Sequence, residues 1–120
     1  MFTVESLWDG AGMSLLLAHA RNLIASAWTQ HADARDVVGL AVDPWKPDAV
    51  SWSLLGALVA SYDRLLSADG QGDAVAALRH ACTLLAPVVD SESLSDWNDA
   101  PERTQADVLA ALDEAQLRAQ

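Results

Sequence analysis

Apolar positions recur at a helical period in four stretches of this chain. The first starts between Gly12 and Ser14 and runs to Trp28. Leu16, Leu17, Ala20, Leu23, Ile24, Ala27 and Trp28 fall on one arc, with Arg21, Asn22 and Ser26 opposite. Ahead of it, residues 1–11 form an N-terminal segment whose Phe2, Leu7 and Trp8 are expected to pack on the domain, with Asp9-Gly10 marking a turn. The second stretch is expected to begin at Pro47 or Asp48, because proline suits a first helical turn and Asp is a good N-cap. It continues through Trp52, Leu54, Leu55, Leu58, Val59 and Tyr62 to Leu65 or Leu66. Its back carries Gly56, Ala57 and Ala60, small residues that let another backbone come close, which predicts the central helix of the fold. The third stretch follows a loop at 67–73, is capped by Asp73 and runs to Leu85, with Val75, Leu78, Cys82 and Leu85 inward and Pro87 beyond its end. The last starts at Thr104, whose spacing to Asp107 approximates a capping box. It buries Val108, Leu109, Leu112 and Ala115 and sets Glu114 and Arg118 at i,i+4.

Between these stretches the period fails. Asp33, Asp36, Gly39, Asp43, Pro44 and Pro47 punctuate 29–47, and Val37-Val38-Gly39-Leu40-Ala41-Val42 reads as a short extended or hairpin segment. A connector of that length in so small a domain is unusual, and such loops often carry function. Residues 91–103 read as polar and irregular apart from Leu94 and Trp97. The pattern therefore predicts an all-α fold. It is a compact bundle of about four helices, one domain over 1–120, with a long loop between helices 1 and 2.

Composition narrows the function. The 120 residues are 52% hydrophobic, enough for one real core. Seventeen acidic residues against seven basic ones give a net charge of −10. That field repels nucleic-acid phosphates and anionic membranes and favours a basic partner or a cation. The acids are spread along the chain, so mimicry of nucleic acid by a dense acidic block has little support. The lone Cys82 cannot form an internal disulfide, and no leader or membrane span is read at the N-terminus. A cytoplasmic protein is expected.

No catalytic or metal constellation emerges, and no cofactor motif. His31, Asp33 and Asp36 lack zinc-ligand spacing. Asp69 to Asp73 resembles a calcium loop only superficially, since Ala74 stands at its sixth position and no Glu closes it. His80 and Cys82, two apart on one helix, diverge by about 200°. The five Trp residues are the unusual feature: Trp28, Trp45 and Trp97 sit at helix ends or in loops, where an indole N–H usually finds a partner. Beside one of them, Trp97-Asn98-Asp99-Ala100-Pro101-Glu102-Arg103-Thr104 offers an amide, a carboxylate and a guanidinium. Two readings stand. Asp99 could cap a first turn with Pro101 just inside it and Arg103 paired to an acid. Alternatively Trp97, Asn98, Asp99 and Arg103, with Trp45 and Trp28, form a binding site for a peptide or a small polar ligand.

Two pieces carry a resemblance: Ala49-Val50-Ser51-Trp52-Ser53-Leu54-Leu55-Gly56-Ala57-Leu58, and Trp97 to Thr104 leading into Val108 and Leu112. Together they resemble a family of small uncharacterised proteins of actinobacteria and bacteriophages, over roughly residues 16–119. Typical members carry Cys where this chain has Ser53, so a thiol role there would not transfer. The resemblance implies a helical layout and a bacterial or phage source, and no activity.

The expectation is thus a non-enzymatic accessory or regulatory protein that binds another protein. The alternative is a small-molecule-binding protein or minor enzyme with a Trp-lined pocket around Trp28, Trp45, Trp52 and Trp97, and Asp99 and Arg103 as polar determinants.

Overall fold

Helix α1 (Gly10–Ser26) enters a segment that carries two short strands, β1 (Ala34–Arg35) and β2 (Ser51–Trp52). Helices α2 (Leu54–Leu66), α3 (Ala74–Val89), α4 (Leu94–Asn98) and α5 (Gln105–Ala119) follow. The computed structural model describes residues 10–66 and 74–119. The expected loop at 67–73 with its Asp73 cap, and residues 1–9, lie outside the described residues. The fold is mostly helical, with a radius of gyration of 13.3 Å, near the ~14 Å of a compact chain of this length. Two features depart from the expected layout. The connector holds a small antiparallel sheet, Ala34 facing Trp52 and Arg35 facing Ser51, and the stretch expected to be irregular contains α4.

The first helix buries the predicted arc as far as Ile24, with Leu16, Leu17, Ala20 and Ile24 fully enclosed; it ends at Ser26, so Ala27 and Trp28 lie beyond it and are half-buried. It starts at Gly10, so Gly10 belongs to the helix. It runs antiparallel to α5, since the Gln105 amide donates to the Ile24 carbonyl at 2.7 Å while Arg21 pairs with Asp113 further back. From α5, Val108, Ala111, Leu112 and Ala115 face inward. Its start is the expected capping box with Asp in the acidic position. Asp107 N–H donates to Thr104 Oγ1 at 3.1 Å, and Thr104 N–H donates to Asp107 Oδ2 at 3.0 Å. The outer Glu114–Arg118 pair closes at 3.6 Å.

Helix α3 lies one residue round from the expected stripe. Ala77, Ala81, Leu85 and Val89 are buried, while Leu78 and Cys82 are half-buried, because the two alanines let the helix come close to its neighbours. Pro87 sits inside the helix, not beyond it. The helix ends instead at Asp90, whose φ of 55° is left-handed. Ser91 N–H then reaches back to the Ala86 carbonyl at 3.1 Å, a Schellman closure.

The second long helix begins later than Pro47 or Asp48, because tertiary pairing overrides the local cap signal. Trp52 N–H donates to the Ala27 carbonyl and its carbonyl accepts from Thr29 N–H, so 51–52 is held extended. Ser53 then caps α2, its Oγ accepting from Gly56 N–H at 3.0 Å. Gly56 explains itself sterically: a Cβ there would stand 1.8 Å from the Asp33 carbonyl oxygen. Leu54, Ala57, Leu58, Ala60 and Ser61 are fully buried, consistent with a helix surrounded on most sides.

Candidate functional site

The short helix α4 carries Asn98 into the core. Ser93 caps it, accepting from Asp96 N–H at 3.2 Å, and Leu94 pins it to the core. Its last residue, Asn98, is fully buried. Asn98 Oδ1 accepts from the Trp28 indole N–H at 2.8 Å and from Leu54 N–H at 3.0 Å. Its Nδ2 donates to the Thr29 carbonyl at 3.1 Å and to Asp99 Oδ1 at 3.0 Å. A primary amide has two donors and two acceptor lone pairs, and all four are filled. One side chain therefore ties the exit of α1, the start of α2 and the end of α4.

Neighbours complete the knot. Asp99 Oδ1 also accepts from His31 N–H at 2.9 Å, which holds His31 at a left-handed φ of 66°. Gln30 Nε2 donates to the Asn98 and Ala100 carbonyls, both at 2.9 Å. Asp99 is the C-cap of α4 and does not cap a turn at Pro101. Next to it, the Arg103 guanidinium lies 4.0 Å from the Trp97 ring centroid. Its Nε donates to the Trp97 carbonyl at 2.9 Å, and Asp107 stands 3.9 Å away. The structure thus brings Trp28, Asn98 and Asp99 together and sets Trp97 with Arg103 beside them. Trp45 stays apart, about half exposed in the turn at 43–48; among the described residues no hydrogen bond or ring contact joins it to the knot. The Trp52 indole donates to the Pro44 carbonyl at 3.2 Å.

Three hollows adjoin these residues. One of ≈ 310 Å³ is lined by His31, Ala32, Asp33, Ser53, Ser95 and Asp99. A second of ≈ 480 Å³ shares the 31–33 wall and adds Ala41, Val42, Asp43, Lys46 and Asp48. A third of ≈ 420 Å³ lies along Trp97, Arg103, Val88, Asp107 and Glu114. Trp28, Trp45 and Trp52 line none of the three.

Sequence reasoning did not single out the connector tip. Arg35 holds it from below: its guanidinium donates to Thr29 Oγ1 and the Gly39 carbonyl, each at 2.9 Å, and to the Gln30 carbonyl at 3.1 Å. Asp36 Oδ1 accepts from Val38 N–H and Leu40 N–H, both at 3.0 Å, and Gly39 supplies the φ of 88° that the turn requires. The turn so fixed exposes Val37 (86%), Val38 (73%) and Leu40 (65%). The available signal was a turn whose usual polar residues are replaced by Val, Val and Leu around one Gly. Below the tip, Asp33, Asp43 and Asp48 face the larger hollow. Among the described residues none of these three carboxylates has a hydrogen-bond or ion-pair partner.

Elsewhere, His19 Nδ1 and Ser61 Oγ share a 2.8 Å hydrogen bond. Burial and then the Arg64 charge hold the His19 pKa below its ordinary value. Ser61 is fully enclosed, so the pair links α1 to α2 and presents no nucleophile to a substrate. Burial pushes the Cys82 thiol up, which disfavours its thiolate. Among the described residues no group of three or more His, Cys, Asp or Glu could hold a metal ion, and no helix is long and apolar enough to cross a membrane.

No curated protein and no solved structure matches the chain. A family model matches residues 11–118, nearly everything described above, and by it the chain belongs to DUF6197, a family of unknown function.

Proposed function

We propose that this protein is a non-enzymatic accessory domain that binds another protein through its connector. One observation carries the reading: of the seven large exposed hydrophobics among the described residues, five (Val37, Val38, Leu40, Trp45 and Val50) lie within 37–50. Carried one residue beyond the strands, the register sets Leu40, Asp36 and Val50 in one row, since Arg35 faces both Ala41 and Ser51. Exposed apolar side chains gathered on one element mark an interaction surface more often than scattered ones do. Arg35 and Asp36 fix the tip in advance, which lowers the ordering cost of docking. Absence of a membrane-spanning helix among the described residues is compatible with a cytoplasmic location. The two-motif resemblance and the excess of Arg over Lys support a bacterial or phage source.

A pull-down comparison tests the reading. Wild type and a Val38→Asp/Leu40→Asp variant of unchanged melting temperature are used as baits in lysate of the source cells. Proteins captured by the wild type should be lost from the variant; identical capture profiles would refute the reading.

The smaller hollow beside Asp99 favours a second reading, a small polar ligand. It predicts a thermal shift with some metabolite that disappears in Asp99→Ala. A metabolite screen without any shift would remove its support.

A further inference from the structure

We infer that the partner surface met by the connector is a polypeptide segment carrying arginine or lysine next to apolar side chains, with the basic group entering the hollow between 31–33 and 41–48. The inference rests on the protein-binding reading above and names the chemistry of its partner. At ≈ 480 Å³ the hollow falls within the ~300–1,000 Å³ range of ligand-sized clefts. Its wall presents three exposed carboxylates, Asp33, Asp43 and Asp48, against the single ammonium of Lys46 and the imidazole of His31. All three carboxylates lack an internal partner among the described residues, whereas the guanidinium of Arg35 on the hairpin is committed to Thr29, Gln30 and Gly39.

Acidic hollow and apolar tip are continuous along the chain. Ala41 and Val42, which line the hollow, directly follow the exposed Leu40. Val42 N–H bonds the Ala34 carbonyl at 3.0 Å, so the hollow and the tip share one hydrogen-bonded frame. A partner covering both must bury apolar groups on Val37, Val38 and Leu40 and place positive charge a few residues away. A second copy of this chain fits badly, because each copy carries a net charge of −10 and would bring like carboxylates together. A basic, apolar segment of a different protein satisfies both halves.

Panning a phage-displayed random 12-mer peptide library on the full chain tests this, with the recovered consensus peptide then titrated by fluorescence anisotropy. Three variants serve beside the wild type: Asp33→Asn/Asp43→Asn/Asp48→Asn, Val37→Ser/Val38→Ser/Leu40→Ser, and a control, Asp90→Asn/Glu92→Gln/Glu102→Gln, which removes the same charge elsewhere. The expected consensus contains Arg or Lys beside apolar residues. Its affinity should fall at least tenfold in the first two variants, remain unchanged in the control, and weaken as salt rises. Peptides without basic residues, bound equally by wild type and the Asp-to-Asn variant, would overturn this inference and leave the protein-binding reading in place. Peptides bound equally by the Val/Leu-to-Ser variant, or no peptide at all, would overturn the protein-binding reading itself. Equal losses in the control and the Asp-to-Asn variant would show net charge alone at work and overturn the assignment to the hollow.

Discussion

The Asn98 knot, built where helix ends meet, and the 37–48 connector are joined through residues 28–35, yet they use their side chains in opposite ways. Around Asn98 the polar atoms face each other. The amide fills all four of its bonds, Asp99 holds the 31 backbone, Gln30 bridges two carbonyls, and Arg103 lies on Trp97. In the connector the backbone is fixed by Arg35 and Asp36, but Val37, Val38 and Leu40 point to solvent, and the carboxylates of Asp43, Asp48 and, at its base, Asp33 stay unmatched. A chemically rich motif is therefore not by itself a site. What distinguishes the two regions is whether the functional groups are already satisfied within the fold.

The largest effect should come from cutting the knot. Asn98→Ala leaves the buried Leu54 N–H and the part-buried Trp28 indole N–H without an acceptor. At about 1–3 kcal/mol for each unsatisfied buried group, urea unfolding should show a loss of about 3–5 kcal/mol. A loss under about 1 kcal/mol, within the range of an ordinary surface change, would break the comparison. Next is Gly56→Ala, where the added Cβ meets the Asp33 backbone and the start of α2 must shift. Overpacking of this kind costs about 2–3 kcal/mol, which the same unfolding curves would register.

Arg35→Met should cost less, about 1–2 kcal/mol, by removing charge-assisted bonds that are partly exposed. It sharpens the comparison because it frees the tip without touching Asn98. Faster amide exchange is expected at Val38 and Leu40, with exchange at Leu54 unchanged.

The pH dependence involving His19 is smaller still and lies outside both regions. Its folded pKa lies below the ordinary histidine value of about 6.5, so between the two values the unfolded chain binds more protons than the folded one. Stability should therefore fall as pH drops through about 6.5 and level off, for this group, below the folded pKa. His19→Gln should flatten that slope in denaturation curves taken from pH 7.5 to 5, and an unaltered slope would rule the group out as its source.

Much of the helical layout was legible in the sequence. The arc from Leu16 to Ile24, the Thr104–Asp107 cap and the Val108–Leu112 stripe follow from period and capping chemistry, which are local. Non-local features were not legible. The start of α2 was misplaced because Asp48 has the local chemistry of a cap, while the pairing of Trp52 with Ala27 and Thr29 is a long-range fact. In α3 the inward row shifted because Ala77 and Ala81 carry little hydrophobic signal but decide how close the helix lies. At the candidate site, the residue types in Trp97 to Arg103 were evident, but their partners, Trp28, Thr29, Gln30, His31 and Leu54, stand far away in sequence. Whether a side chain faces its own fold or solvent depends on such partners. The stretch Val37 to Val42 was legible as a short extended or hairpin segment, but that Val37, Val38 and Leu40 face solvent depends on the turn that Arg35 and Asp36 fix.

Paired urea unfolding of Asn98→Ala and Val38→Asp/Leu40→Asp tests the central contrast most directly. The account predicts a loss of about 3–5 kcal/mol for the first and a change within about 0.5 kcal/mol for the second. Comparable losses in the two, or an Asn98→Ala protein as stable as the wild type, would contradict it.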